Sequence, residues 1–193
     1  MVDDKNHWAH RLPGGIISET APHAVYLSLA LLDKVKKVHV SCKKLFPSFD
    51  WSIAEDYRFD LIADNAISSV ALIYGTNQAG ADIDIFCTKG HLKVDLQTRN
   101  VVSQNRFQGS SYIEDKEVAR SVLTNVFQTS LSFISNGIKY LFSKNLDCHY
   151  IGINRFLDYV SGATDTYPAP GEQGKEVESI MEKIVKQINK LRT

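Results

Sequence analysis

The side chains best suited to chemistry cluster near the start of this chain: His7, His10, Arg11, Glu19 and His23. Glu19 and His23 are four residues apart, so on a helix they lie on one face. A carboxylate at that distance can orient an imidazole, and a neutral, oriented imidazole can take a proton from a hydroxyl group. Because that proton must leave when an alcohol is oxidised, the pair predicts hydroxyl chemistry with His23 as the proton acceptor.

Two other interpretations of the same residues stay open. Glu19 and His23 can form an ordinary surface pair at a helix start, worth a few tenths of a kcal/mol. The second interpretation is a zinc site, because four side chains offer enough nitrogen and oxygen donors: His7, His10, Glu19 and His23. Their spacing, however, matches no established zinc motif.

A helix is predicted from about residue 18 to residue 33, and it must carry the pair. Ser18 is a suitable N-cap, with an acidic residue just inside the first turn. Pro22 is tolerated in a first turn, where its missing N–H has no intrahelical partner to lose. Apolar residues then recur at helical spacing: Val25, Leu29 and Leu32. Ahead of the helix, Gly14 and Gly15 either turn the chain or allow close packing on a neighbour.

Five short segments alternate apolar and polar residues with the period of a β-strand: about 38–46, 58–64, 69–75, 82–87 and 92–96. Short links between several of them favour a mainly antiparallel sheet with one face on the core. The opposite face would carry charged side chains, but also Ile62, Ala71, Ile73 and Phe86. These are either scattered surface residues or the apolar centre of a subunit interface.

Beyond about residue 103 the periodicity becomes helical. A long helix is predicted over 117–143, with an apolar stripe of Val118, Val122, Val126, Ile134, Ile138 and Leu141. Further helices are predicted over about 151–160 and 174–191, and the last should turn inward Val177, Ile180, Met181, Ile184, Val185 and Ile188. The whole pattern predicts an α+β fold: a mainly antiparallel open sheet with helices packed on one face and the other face available for oligomerisation.

Composition argues against several classes of protein. The 193 residues are 44% hydrophobic, as in a globular domain, and 22 basic side chains balance 22 acidic ones. Zero net charge argues against nucleic acid or an anionic membrane as the main partner. Three cysteines without a CxxC pair predict no disulfide framework and favour a reducing, cytoplasmic setting. Polar residues interrupt the most apolar stretch, 122–142, which is therefore a poor membrane span.

Three segments in order resemble one enzyme family. Segment 7–23, HWAHRLPGGIISETAPH, resembles the start of the C-terminal domain of the Gfo/Idh/MocA oxidoreductases, the relatives of glucose–fructose oxidoreductase and inositol dehydrogenase. That family carries a glycine pair, an acidic residue and then a histidine four positions later. Segment 87–95, CTKGHLKVD, is similar to its later G-T-K-G hairpin, with Cys87 in place of the usual glycine. Segment 149–157, HYIGINRFL, and the proline connector after it look like its closing helices.

The resemblance implies that residues 1–193 form a single C-terminal substrate-binding and oligomerisation domain, with a helical insertion at about 103–147. In the family, an N-terminal Rossmann domain binds NAD or NADP and supplies a lysine from a Glu-Lys-Pro motif. This sequence contains neither that motif nor a GxGxxG fingerprint. We therefore assign no cofactor-binding residue to this chain, and no metal ligand is carried over. The implied assembly is a dimer or tetramer through the open sheet face.

Site residues are carried over by position. His23 corresponds to the family's catalytic histidine, and Glu19 to its acidic partner, where aspartate is usual. Ala21 stands where glycine is common. His10 and Arg11 are candidate substrate contacts because they are close to the motif in sequence.

The predicted function is the substrate-binding part of an NAD(P)-dependent dehydrogenase that acts on a sugar, polyol or related hydroxy compound, without nucleic acid or membrane as a partner. The chain alone is expected to bind the dinucleotide weakly and to show no turnover. The alternative is a sugar-sensing or assembly module without enzymatic activity on the same scaffold. Under that alternative, His23→Ala in the full-length protein would leave its biological activity intact.

Overall fold

The computed structural model describes residues 2–76, 80–105, 111–142, 148–165 and 171–191. After a short 3₁₀ helix, Trp8–Arg11, the elements are α1 (Ile17–Leu29), β1 (Lys37–Lys43), β2 (Asp56–Ile62), β3 (Ile67–Ile73), β4 (Asp82–Phe86), β5 (Gly90–Asp95), β6 (Asn100–Asn105), α2 (Ser111–Phe142), α3 (Cys148–Val160) and α4 (Gly171–Leu191). They form two compact units: residues 1–77 together with 166–193, and residues 78–165. Helices combined with antiparallel strands confirm the predicted α+β class.

The first unit contains a three-stranded antiparallel sheet in the order β1-β2-β3. Its register aligns Val40, Phe59 and Val70 across the three strands. The residues that share this face are buried or half-buried: Val38, Val40, Cys42, Tyr57, Phe59, Leu61, Val70, Leu72 and Tyr74. Strand alternation therefore predicted the core face of this sheet correctly.

Helices α1 and α4 cover that face, as the predicted architecture requires. α1 contributes the buried residues Ile17, Ala21 and Val25, and α4 contributes Ile180, Met181, Ile184 and Ile188. The side-chain amide of Gln187 also donates to the carbonyl oxygen of Val38 at 2.8 Å, which ties α4 to the edge strand β1. The apolar side chains of the two helices and the sheet form one continuous core.

The start of α1 differs from the prediction. The assignment of Ser18 as N-cap is wrong, because Ile16 occupies the capping position without a side-chain hydrogen bond. The Ser18 hydroxyl instead donates to the carbonyl oxygen of Pro13. Since the helix begins at Ile17, Pro22 falls in its second turn, where one intrahelical hydrogen bond is lost.

The opposite face of β1-β2-β3 is exposed and has a polar centre. His39, Asp60 and Ser69 are aligned across the strands, and Ser69 Oγ donates to Asp60 Oδ1 at 2.6 Å. The exposed residues Ile67 and Ile73 stand at the two ends of β3. The apolar side chains of this face are therefore separated by polar ones and do not form one patch.

The second unit contains another antiparallel sheet, in the order β4-β5-β6. Strand β6 was not predicted, because its sequence NVVSQN does not alternate cleanly. Arg99, just before it, has a φ of 57°, a left-handed conformation that closes the turn from β5. On this sheet the rings of Phe86 and His91 stack with centroids 4.4 Å apart, and His91 Nε2 lies 2.7 Å from Asp84 Oδ1.

Helix α2 turns its polar side inward. Half-buried residues recur at spacings of three and four: Glu117, Ser121, Asn125, Gln128, Thr129, Ser132 and Asn136. The Asn136 side-chain amide donates to the carbonyl oxygens of Thr98 at 2.9 Å and Arg99 at 3.1 Å, beside β6. The predicted helix is confirmed, but its predicted apolar stripe is exposed.

Helix α3 is also confirmed, and it too exposes apolar side chains, among them Ile153, Phe156, Leu157 and Val160. Among the described residues, every buried apolar side chain belongs to the first unit. Across the same ranges, no helix combines the length and the apolar character that a membrane crossing requires.

Candidate functional site

Two glycines set the start of the helix that carries the candidate pair. Gly14 and Gly15 have φ values of 86° and 74°, a region that side chains with a Cβ rarely adopt. A Cβ on Gly14 would lie 2.9 Å from a methyl group of Val185, and one on Gly15 would lie 3.1 Å from Ile53. Both interpretations of the two glycines therefore hold: they turn the chain, and they let α1 start in close contact with its neighbours.

Glu19 is half-buried on the first turns of α1, and its Oε2 atom is fully buried. That oxygen has no hydrogen-bond partner, His23 included, among the residues that the structure describes. Buried polar atoms are paired in the great majority of cases, and leaving one unpaired costs about 1–3 kcal/mol. The unpaired oxygen therefore distinguishes Glu19 from an ordinary surface carboxylate.

Glu55 is a second buried carboxylate of the first unit, and only one of its two oxygens is hydrogen-bonded among the described residues. Its Oε2 accepts the main-chain N–H groups of Leu45 at 2.7 Å and Phe46 at 3.1 Å, and its Oε1 lies 3.4 Å from Lys44 Nζ. Burial raises the pKa of this carboxyl, but the two main-chain hydrogen bonds, a Ser52 contact and the lysine charge outweigh burial and lower it overall. Glu55 is a structural residue that the sequence did not reveal.

His23 lies one turn after Glu19, and its side chain is exposed. At 100° per residue, the two share a face that is roughly half a turn from the buried residues Ile17, Ala21 and Val25. The pair therefore points away from the hydrophobic core, which leaves the imidazole accessible to a molecule in solution. The structure thus brings Glu19 and His23 to one face, although Glu19 Oε2 accepts no hydrogen bond from the imidazole.

His10 and Arg11 lie in the short 3₁₀ helix before the glycine turn. His10 is half-buried, and its Nε2 is the second buried polar atom of this region without a partner among the described residues. Arg11 is exposed. His7 accepts the N–H of Ala9 through Nδ1 at 3.3 Å, which uses one of its nitrogens locally.

The zinc interpretation finds no geometric support. The structure does not gather His7, His10, Glu19 and His23 into a group that could hold a metal ion. No other group of three or more suitable side chains occurs in the described part of the chain.

Tyr74, directly after β3, is a site residue that sequence reasoning missed. Its hydroxyl is hydrogen-bonded to the hydroxyl of Thr20, the residue after Glu19. Burial, together with the negative charge of Glu19, raises the pKa of Tyr74 to about 12, although the Thr20 hydrogen bond lowers it. One signal was available: a phenol at a core-facing position needs a polar partner, although the sequence does not indicate which residue supplies it.

A groove of about 850 Å³ lies beside the pair, between α1 and α4 of the first unit. Ser18 and Pro22 line it on one side, and Val177, Met181 and Val185 on the other. Glu19 and His23 are not among its lining residues, since they lie about 100° around α1 from Ser18 and Pro22. The candidate pair and the groove are therefore neighbouring but separate surfaces.

Comparison with known proteins gives one structural likeness. No family model matches the sequence, and no curated protein matches it. The structure is similar to the crystal structure of the WlbA dehydrogenase from Bordetella pertussis, in complex with NADH and UDP-GlcNAcA, with a TM-score of 0.55 and 18% sequence identity. The match covers 88% of this chain and 44% of that one, so the chain spans less than half the length of the dehydrogenase. This likeness shows a shared fold.

Proposed function

We propose that this chain is the substrate-binding and oligomerisation part of an NAD(P)-dependent oxidoreductase that acts on a sugar, polyol or related hydroxy compound. One observation carries the proposal: the buried, unpaired Oε2 of Glu19 lies one helical turn from the exposed imidazole of His23. Hydroxyl groups of a sugar are hydrogen-bond donors, and one of them would supply the partner that Glu19 lacks once a rotation of the side chain exposes the carboxylate. The fold shared with a dehydrogenase solved with NADH and a sugar nucleotide supports the same class of function.

The proposed roles follow from the unpaired buried atoms of Glu19 and His10 and from the exposed side chains of His23 and Arg11. Glu19 accepts a hydrogen bond from one substrate hydroxyl, which holds the molecule against α1. His23 then takes the proton of the hydroxyl that is oxidised, as a base or as the first member of a relay. The unpaired Nε2 of His10 and the exposed guanidinium of Arg11 are the proposed further substrate contacts.

Hydride transfer is the chemistry that a bound nicotinamide supplies. The sequence has neither a GxGxxG nor a GxxxxGK[ST] segment, so its residues do not fit either of these phosphate-binding motifs. We therefore assign no residue of this chain to the dinucleotide, which a Rossmann domain outside these residues would hold. Tight binding of NADH to the chain alone would contradict this division of roles.

The proposal is tested by substrate binding to the chain itself. A panel of polyols, hexoses, hexuronates and sugar nucleotides is titrated while backbone and imidazole NMR signals are followed. We expect shifts centred on His10, Glu19 and His23 for one class of ligand, and weakened binding in Glu19→Gln. Glu172→Gln and His39→Gln are matched controls, because both residues are exposed elsewhere in the first unit. Binding that is equally strong in Glu19→Gln would exclude the assigned site.

Oligomerisation through the open face of β1-β2-β3 belongs to the same proposal. The exposed residues Ile67 and Ile73 would be its apolar contacts, on either side of the polar row around Asp60. Ile73→Glu should then lower the mass of the assembly in solution. An unchanged mass would remove this face from the proposal while leaving the substrate site intact.

A further inference from the structure

Helix α2 carries an apolar seam, which we define as Phe127, Leu131, Ile134, Ile138 and Leu141. Successive members are four and three residues apart, the spacing that places side chains along one line of a helix and that pairs helices in coiled coils. All five are at least half exposed, from 51% for Leu131 to 81% for Leu141. Helix seams of this kind are normally buried against another element.

The seam faces away from the sheet of its own unit. Asn136, which is bonded to the carbonyl oxygens of Thr98 and Arg99, lies on the opposite side of α2. The half-buried polar residues described above share that side with Asn136. Within its unit, α2 is therefore attached by its polar side, and the seam has no covering element among the described residues.

The charge pattern indicates what can cover the seam. Residues 121–138 contain no Asp, Glu, Lys or Arg. This stretch therefore favours an uncharged partner surface over a charged one, and it lacks the Lys and Arg residues typical of helices that lie on membrane surfaces. In a two-fold contact each side chain meets the same surface on a second copy, so any charge there would be repelled by its own image. An uncharged seam avoids that repulsion.

The exposed apolar area around the seam is also close to the area that a homodimer interface buries. Seven large apolar side chains fall within about a third of the helix circumference, namely the five seam residues with Leu123 and Phe142. At roughly 60–120 Å² for each such side chain, and with about two-thirds of that exposed, they offer roughly 300–550 Å² of apolar surface. A standard interface buries about 800 Å² per partner, of which about 65% is apolar in homodimers. Monomers rarely leave patches larger than a few hundred Å² exposed.

We propose that the seam of α2 is an interface with a second copy of this chain, in which two α2 helices pack against each other near Ile134. This contact is separate from the open face of β1-β2-β3 and does not depend on the substrate site. It gives the second unit the buried apolar surface that its described residues do not form on their own.

The test uses Ile134→Glu and Ile134→Lys, each measured alone and then mixed in equal amounts. Because residue 134 meets its own copy, each variant alone should dissociate, with a dissociation constant raised on the order of a hundredfold or more. Mixing the two should restore the wild-type mass, because opposite charges then face each other. Mass is measured by analytical ultracentrifugation over a wide dilution range.

Val122→Glu is the matched control, since Val122 is 54% exposed on α2 but lies well away from the seam. It should keep the wild-type mass, and circular dichroism should show the same helix content in all variants. A wild-type chain that stays monomeric at every concentration would overturn the proposal. It is equally overturned if both Ile134 variants keep the wild-type mass, or if the monomer binds uncharged phosphatidylcholine vesicles through the seam.

Discussion

The hydroxyl groups of Thr20 and Tyr74 are hydrogen-bonded to each other, which fastens the early part of α1 to the end of the third strand. Tyr74 also packs its ring edge-on against the buried Tyr57, with centroids 6.0 Å apart. The ring of Tyr74 is thereby fixed in the core, while its hydroxyl holds Thr20, the residue next to Glu19. Under the proposed function, this contact sets the position from which the Glu19 carboxylate meets a ligand.

Removal of either hydroxyl should destabilise the first unit. We expect Tyr74→Phe and Thr20→Val each to lower the free energy of unfolding by about 1 kcal/mol, because each leaves the other hydroxyl without its partner. The double variant should lose less than the sum, with a coupling of about 1 kcal/mol by urea denaturation. Strictly additive losses would show that the two hydroxyls do not interact in solution.

The charge of Glu19 should be detectable at Tyr74. The pKa of Tyr74 is raised to about 12, first by burial and further by the carboxylate. Glu19→Gln removes that charge and should lower the pKa, observed as the ultraviolet difference between proteins with and without Tyr74→Phe. Because the folded state favours the neutral phenol, stability should fall as the pH rises from 10.0 towards about 12. If Glu19→Gln leaves the pKa of Tyr74 unchanged, the charge of Glu19 does not act on the phenol.

Glu55 should make stability depend on acid pH. Its folded pKa is lower than the ordinary value of 4.5, so its contribution is present above that pH and is lost as the pH falls through the folded pKa. Glu55→Gln should cost about 1–3 kcal/mol at neutral pH and flatten the acid limb of the stability curve. The exposed Glu172→Gln should leave that limb unchanged; an equal effect of both variants would count against the assignment.

Gly14→Ala should destabilise the protein by about 1–3 kcal/mol, because it combines a left-handed φ with a Cβ only 2.9 Å from Val185. Gly174→Ala provides the contrast. Gly174 lies within α4 with open space around its Cα, so alanine there should raise stability by up to about 1 kcal/mol. Thermal unfolding measures the stability of both variants. Equal changes in their melting temperatures would show that backbone conformation and packing do not require glycine at position 14.

Local periodicity predicted the parts of the fold in which one face is buried. Val38, Phe59 and Val70 reveal their strands because alternate residues enter the core. Ile184 and Ile188 reveal α4 because buried residues recur there at helical spacing. Strand β6 was missed because its sequence does not alternate. The end of α1 at Leu29 was missed because apolar spacing continues past it to Leu32.

The candidate site was predictable only in part. Spacing alone places Glu19 and His23 on one face of a helix, whereas the burial of Glu19 Oε2 is a property of the tertiary structure that local spacing does not specify. The hydrogen bond between Thr20 and Tyr74 joins residues 54 positions apart, and no local pattern encodes it. For α2, the sequence shows an amphipathic helix but does not reveal which side its own sheet engages, and Asn136 shows that it is the polar one.

The discontinuity of the first unit has a consequence for biosynthesis. Its sheet and α1 are translated before α4, but α4 supplies the residues that close their core, Ile180, Met181, Ile184 and Ile188. During translation, the apolar sides of β1, β2 and β3 therefore stay uncovered by α4 until the second unit, residues 78–165, has been synthesised. The sheet of the first unit is therefore made before α4 but completed only with it, and during that interval it is a natural client for chaperones.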